Sequence, residues 1–119
     1  MPKILLVEDN EMNRDMLSRR LEKRGYTLTL AVDGGQGVAL AKSELPDLIL
    51  MDMSLPVLDG WDATRQVKAD PATKGIPVIV CTSKGQETDK IWGLRQGAVD
   101  YLVKPLNPEE LLQRIAALP

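Results

Sequence analysis

Three features of the sequence predict an α/β fold built on a five-stranded parallel sheet. Short apolar runs between turn signals recur at Ile4–Val7, Leu48–Met51, Ile76–Cys81 and Tyr101–Val103. Runs of that kind read as strands buried on both faces. Segments with helical apolar spacing separate them, and apolar strands joined by helical crossovers run parallel, with helices on both sides of the sheet. Tyr26 to Val32 differs: Tyr26, Leu28, Leu30 and Val32 alternate with Thr27, Thr29 and Ala31. A period of two with one polar face marks an edge strand.

Taken in order, the first strand runs into Glu8-Asp9-Asn10. The helix after it has Met12, Met16, Leu17 and Leu21 as apolar positions and Arg14, Arg19, Arg20 and Lys23 as polar ones, so Met12 and Met16 are expected in the core. Gly25 closes it where a positive φ is often required. Asp33-Gly34-Gly35 is a turn and helix start; that helix carries Val38, Leu40 and Ala41 and ends before Pro46. The third strand ends at Asp52, Pro56 to Gly60 forms a loop, and Asp59 is placed to cap a helix carrying Trp61, Thr64 and Val67. Asp70-Pro71 stops that helix, and Pro77 is tolerated at the start of the fourth strand.

Thr82-Ser83-Lys84-Gly85 is expected as a polar loop, and a helix from about Gln86 to Gln96, closed by Gly97, buries Ile91 and Leu94, with Ala98 buried just past it. The fifth strand, Asp100–Val103, leads directly into Lys104-Pro105. Asn107-Pro108-Glu109-Glu110 starts the last helix with an N-cap, a proline at N1 and acids in the first turn. Its apolar face is Leu111, Leu112, Ile115 and Leu118. With the half-polar second strand at an edge, the expected order is 2-1-3-4-5, a flavodoxin-like (βα)5 three-layer sandwich.

A chain of 119 residues suits a single compact domain, 1–119. Net charge is −2, from 15 basic and 17 acidic residues, which is no footprint for nucleic acid. No apolar run approaches the roughly 18 residues of a membrane helix, so no membrane partner is expected. The one cysteine, Cys81, rules out an intramolecular disulfide and is read as a small core residue. A reducing, cytoplasmic location fits. Histidine is absent, which excludes a histidine triad, a histidine metal site and a phosphohistidine carried by this chain.

The chemistry lies at one end of the sheet. In open α/β sheets ligands bind outside the carboxyl ends of the strands, and here those ends gather Glu8, Asp9, Asp52, Thr82 and Lys104. Two carboxylates about 4 Å apart repel by roughly 4 kcal/mol at an effective dielectric near 20. A divalent cation among them makes the arrangement reasonable, and oxygen-only ligands favour Mg²⁺ or Mn²⁺. A carboxylate such as Asp52 can act as a nucleophile toward phosphorus. A cation and a lysine then neutralise the transferring group, and Thr82 offers a hydroxyl donor.

The set Glu8-Asp9-Asn10, Asp52 within Leu48-Ile49-Leu50-Met51-Asp52-Met53-Ser54-Leu55-Pro56, Asp59-Gly60, Thr82-Ser83 and Tyr101-Leu102-Val103-Lys104-Pro105 resembles the receiver domain of two-component response regulators, the CheY-like superfamily. The resemblance covers essentially the whole chain. It implies that Asp52 is the phosphoacceptor, that Asp9 and the backbone carbonyl of Ser54 bind Mg²⁺ together with Asp52, and that Glu8 acts through water. It further implies that Thr82 and Lys104 contact the phosphoryl group, that Tyr101 switches with Thr82, and that the Lys104–Pro105 bond is cis. The family's usual alanine after the threonine is Ser83 here, a residue small enough to leave the site open.

The function so implied is a phosphorylation-dependent signalling switch of phosphorelay type. A histidine kinase or histidine phosphotransfer protein supplies the phosphoryl group in trans. The domain catalyses its own phosphorylation and dephosphorylation and is not otherwise an enzyme. The face of the fourth helix, fifth strand and last helix then changes for a downstream protein, with Tyr101 on it; Trp92, where receivers usually carry a polar residue, either joins that partner surface or packs over the helix edge. Ser54 and Lys84 flank the path of a hydrolytic water. The resemblance fits equally a stand-alone regulator and a domain of a longer chain. The main alternative is a receiver-like scaffold that binds without phosphorylation. A phosphoester hydrolase would commonly carry a second acid where Ser54 stands. A flavin carrier is disfavoured by aromatics of only 3% and by an acidic rim.

Overall fold

The computed structural model describes residues 3–52, 60–83, 97, 100–104 and 107–117, without the side chains of Trp61, Thr82, Ser83, Asp100, Tyr101, Val103, Lys104 and Pro108. The elements are β1 (Lys3–Val7), α1 (Glu11–Lys23), β2 (Thr27–Ala31), α2 (Gly34–Glu44), β3 (Leu48–Asp52), α3 (Gly60–Ala69), β4 (Val78–Ser83), β5 (Asp100–Lys104) and α4 (Pro108–Ala116). The strands form one sheet in the order β2-β1-β3-β4-β5, every pair parallel. The helix expected over 86–96, with Ile91, Leu94 and Ala98, and the last-helix residue Leu118 lie outside the described residues.

Ile4–Val7, Leu48–Met51 and Val78–Cys81 are apolar because both faces of the sheet are covered there. On one face Leu5, Val7, Ile49, Met51, Val78 and Val80 pack with Val38 and Ala41 of α2 and Ala63 and Val67 of α3. On the other, Ile4, Leu6, Leu48, Leu50, Ile79 and Leu102 pack with Leu17 and Leu21 of α1 and Leu111, Leu112 and Ile115 of α4. Alternate residues of each strand feed alternate faces, as the pleat requires.

Caps fix where the helices begin and end. Asn10, Asp33 and Asn107 are extended N-caps whose side chains accept from Asn13 N, Gln36 N, and Glu109 N and Glu110 N. Gly25, at the end of α1, and Gly97 have φ of 94° and 104°, a conformation that favours glycine. At the end of α3, Asp70 Oδ1 accepts from Ala72 N at 2.9 Å and turns the chain into the segment before β4.

Two expectations need correction. Met12 and Met16 are not core residues: they are 81% and 39% exposed. The buried arc of α1 is Leu17, Ser18 and Leu21. At about 100° per residue, Met12 and Met16 fall on the opposite side with Arg19, Arg20 and Lys23. Thr82 and Ser83 are not loop residues but the end of β4, paired with Val103 and Lys104. That strand starts at Val78, since Pro77 has no N–H to donate and offers only its carbonyl, to Ile49 N at 3.0 Å. Finally, β2 is an edge strand as expected, yet its apolar side is only partly covered. Leu28 packs on the core, whereas Leu30 is 43% exposed and borders an open groove of about 420 Å³ against Met12 and Ser18 of α1.

Candidate functional site

The carboxyl ends of β1 and β3 lie side by side, with Val7 opposite Met51. One residue further along each strand stand Glu8 and Asp52. Glu8 continues the ladder by donating its backbone N–H to Ala31 O at 3.0 Å. Asp9 and Asn10 then lead into α1. This places Glu8, Asp9 and Asp52 together: one carboxylate oxygen from each lies within 4.8 Å of the others. Glu8 and Asp52 are buried, 4% and 3% exposed, while Asp9 faces solvent. The cluster therefore has two buried carboxylates and one exposed.

Burying charged carboxylates is costly unless hydrogen bonds or a cation compensate. Part of the compensation comes from the first turn of α1. Asn13 Nδ2 donates to Glu8 Oε1 at 3.1 Å. Arg14 Nη1 donates to Glu8 O at 2.9 Å and reaches Asp9 O at 3.4 Å. Sequence reasoning assigned Arg14 only to a polar face and gave Asn13 no role. The available signal was their position: the first turn of a helix points its side chains back over the residues before it, as in a capping box.

The donor set suits a hard divalent cation. The three groups supply oxygen alone, with no nitrogen or sulfur ligand among them. Of the predicted site, the structure thus brings Glu8, Asp9 and Asp52 into one cluster. Thr82 and Lys104 are placed by their backbones: β4 adjoins β3 with Cys81 opposite Asp52, and Thr82 and Ser83 pair with Val103 and Lys104 at the same end of the sheet. Tyr101 lies earlier on β5, opposite Val80. The side chains of Thr82, Tyr101 and Lys104 lie outside the described residues, as do Ser54, Lys84, Trp92 and the Lys104–Pro105 bond. Among the described residues no helix is long and apolar enough to cross a membrane.

Comparison with known proteins agrees with this arrangement. The chain is 51% identical over 118 residues to PilH of Pseudomonas aeruginosa, covering 99% of this chain and 98% of PilH. Several further relatives are longer, and the chain spans about half of their length. Among solved structures, the Vibrio cholerae chemotaxis protein CheY4 superposes with a TM-score of 0.92 at 33% identity, covering 100% of this chain and 99% of that one. The receiver domain of the sensor histidine kinase PA1611 from Pseudomonas aeruginosa superposes with a TM-score of 0.87 at 43% identity, covering 96% and 93%, and has a magnesium ion coordinated in its active-site cleft. The response regulator receiver domain model matches residues 4–116. The acid cluster, the sheet order and these similarities together establish that the chain belongs to the response regulator receiver domain family of two-component signalling.

Proposed function

We propose that this domain is a switch set by transfer of a phosphoryl group to Asp52. The observation that carries the proposal is the close grouping of Glu8, Asp9 and Asp52 beside the ends of β4 and β5. A phosphohistidine on a histidine kinase or histidine phosphotransfer protein is the donor, since this chain has no histidine. An Asp52 carboxylate oxygen attacks phosphorus, the donor's P–N bond breaks, and the imidazole leaves with the electron pair and takes up a proton. The product is an acyl phosphate on Asp52.

Asp9 and Asp52, with the Ser54 carbonyl, are the groups that would hold Mg²⁺, with Glu8 acting through water. Bound there, the ion would neutralise charge on the phosphoryl oxygens. The magnesium ion in the similar PA1611 domain supports that choice of metal. Lys104 serves as the second cation, and the Thr82 hydroxyl donates to a phosphoryl oxygen. Thr82 and Tyr101 then move together. The face formed by the segment 86–96, β5 and α4, including Trp92, thereby shifts between two arrangements for a downstream protein. The domain spans 1–119, promotes its own phosphorylation and hydrolysis, and acts on no external substrate. Its place is the cytoplasm. Ser54 and Lys84 set the hydrolysis rate.

Amide NMR with Mg²⁺ and beryllofluoride tests the proposal. Resonances of Asp9 and Asp52 should shift with Mg²⁺ alone, and those of Thr82 and Lys104 should shift only when beryllofluoride is also present and not in Asp52→Asn. An unchanged wild-type spectrum would point instead to a scaffold that works without phosphate.

A further inference from the structure

The acid pocket is braced from one side by two side chains to which the family resemblance gave no role. Asn13 lies in the first turn of α1 and is itself exposed. Its amide nevertheless reaches inward and donates to Oε1 of the buried Glu8 at 3.1 Å. The adjacent Arg14 is half-buried. Its guanidinium holds the Glu8 carbonyl at 2.9 Å and reaches the Asp9 carbonyl at 3.4 Å. The turn that presents both is itself fixed, because Asn10 Oδ1 accepts from Asn13 N at 2.9 Å and Arg14 N donates to Asn10 O at 2.9 Å.

We infer that Asn13 is a positioning residue for the metal site: it holds the Glu8 carboxylate in the orientation a hydrated divalent cation needs, while Arg14 holds the backbone that carries Glu8 and Asp9. The inference rests on the reading of the acid cluster as a Mg²⁺ site. A glutamate side chain has three rotatable bonds, so its carboxylate orientation must be imposed from outside. A carboxylate has two oxygens, and engaging Oε1 with a fixed donor leaves Oε2 in a defined direction. Outer-shell groups that orient a metal site typically change its affinity by about 10–100-fold when removed. The two contacts divide the work. Asn13 sets the side chain, and Arg14, through Nη1, sets the main chain on which both acids ride.

The test is Mg²⁺ binding by calorimetry on wild type, Asn13→Leu, Asn13→Gln and Lys68→Met, each with its metal-free melting temperature. Lys68→Met is the control for general destabilisation, because Lys68 bonds the carbonyls of Lys74 and Ile76. Asn13→Leu should weaken Mg²⁺ binding about tenfold. Asn13→Gln, which keeps an amide donor, should recover most of that loss, and Lys68→Met should bind as wild type despite its lower melting temperature. Asn13→Leu binding within twofold of wild type overturns the inference alone, and so does an equal loss of affinity in Lys68→Met. A wild type that takes up no Mg²⁺ overturns the metal site and this inference with it.

Discussion

Gly37 lies directly on Val7: a β-carbon at position 37 would stand 2.9 Å from Val7 Cγ2 and 3.2 Å from Cγ1. Val7 is 1% exposed and cannot move aside. It is also the residue before Glu8, so the height of α2 above the sheet is set one position from the acid pocket. Gly37→Ala should therefore destabilise. The alanine gains about 1 kcal/mol of helix propensity, but overpacking a closed core costs about 1–3 kcal/mol. A net loss of up to about 2 kcal/mol in urea unfolding is expected, and a gain in stability would contradict the close packing.

Lys68 ties the end of α3 to the segment before β4, donating from Nζ to the carbonyls of Lys74 and Ile76. Lys68→Met keeps the apolar stem but loses these bonds, so a destabilisation of about 1–2 kcal/mol is expected near neutral pH. Burial lowers the Lys68 pKa below its ordinary value of 10.5. The folded state then releases this proton at lower pH than the unfolded chain does. The cost of burying the charge is present in full below the folded pKa and is relieved as pH rises from there to 10.5. The stability gap between wild type and Lys68→Met should thus widen in favour of wild type over that interval. A gap that narrows would show that the bonds to the two carbonyls outweigh the burial.

Thr64 is wholly buried in α3, and its Oγ1 has no hydrogen-bond partner among the described residues. A buried hydroxyl left unsatisfied costs about 1–3 kcal/mol. Thr64→Val keeps the branched shape and removes the hydroxyl, and it should raise stability by about 1 kcal/mol in the same urea experiment. A fall in stability would mean that the hydroxyl is paired.

Much of this was legible because it depends on local patterns with one physical meaning. Ile4–Val7 and Leu48–Met51 could hardly be anything but doubly covered strands, and Asn107-Pro108 names its own cap. Glu8, Asp9 and Asp52 were legible as a group once the strand order was known, since each sits at a strand's carboxyl end. Failures came where a side chain's meaning depends on what lies opposite. Met12 and Met16 are hydrophobic, but they lie on the exposed side of α1, outside both core clusters. Leu45 takes φ of 46° at the end of α2, a place where glycine or asparagine would be expected. Asn13 looked like an ordinary helix polar residue because its partner, Glu8, lies in the preceding strand end and not in the helix.

On the proposed mechanism, Asp52 accepts a phosphoryl group with the help of Mg²⁺. Intact mass after incubation with acetyl phosphate, with and without Mg²⁺, on wild type and Asp52→Asn, tests it most directly. One added phosphoryl group, present only with Mg²⁺ and absent from Asp52→Asn, is the predicted result. A wild type that gains no mass under any condition, or an Asp52→Asn variant labelled as fully as wild type, would contradict it.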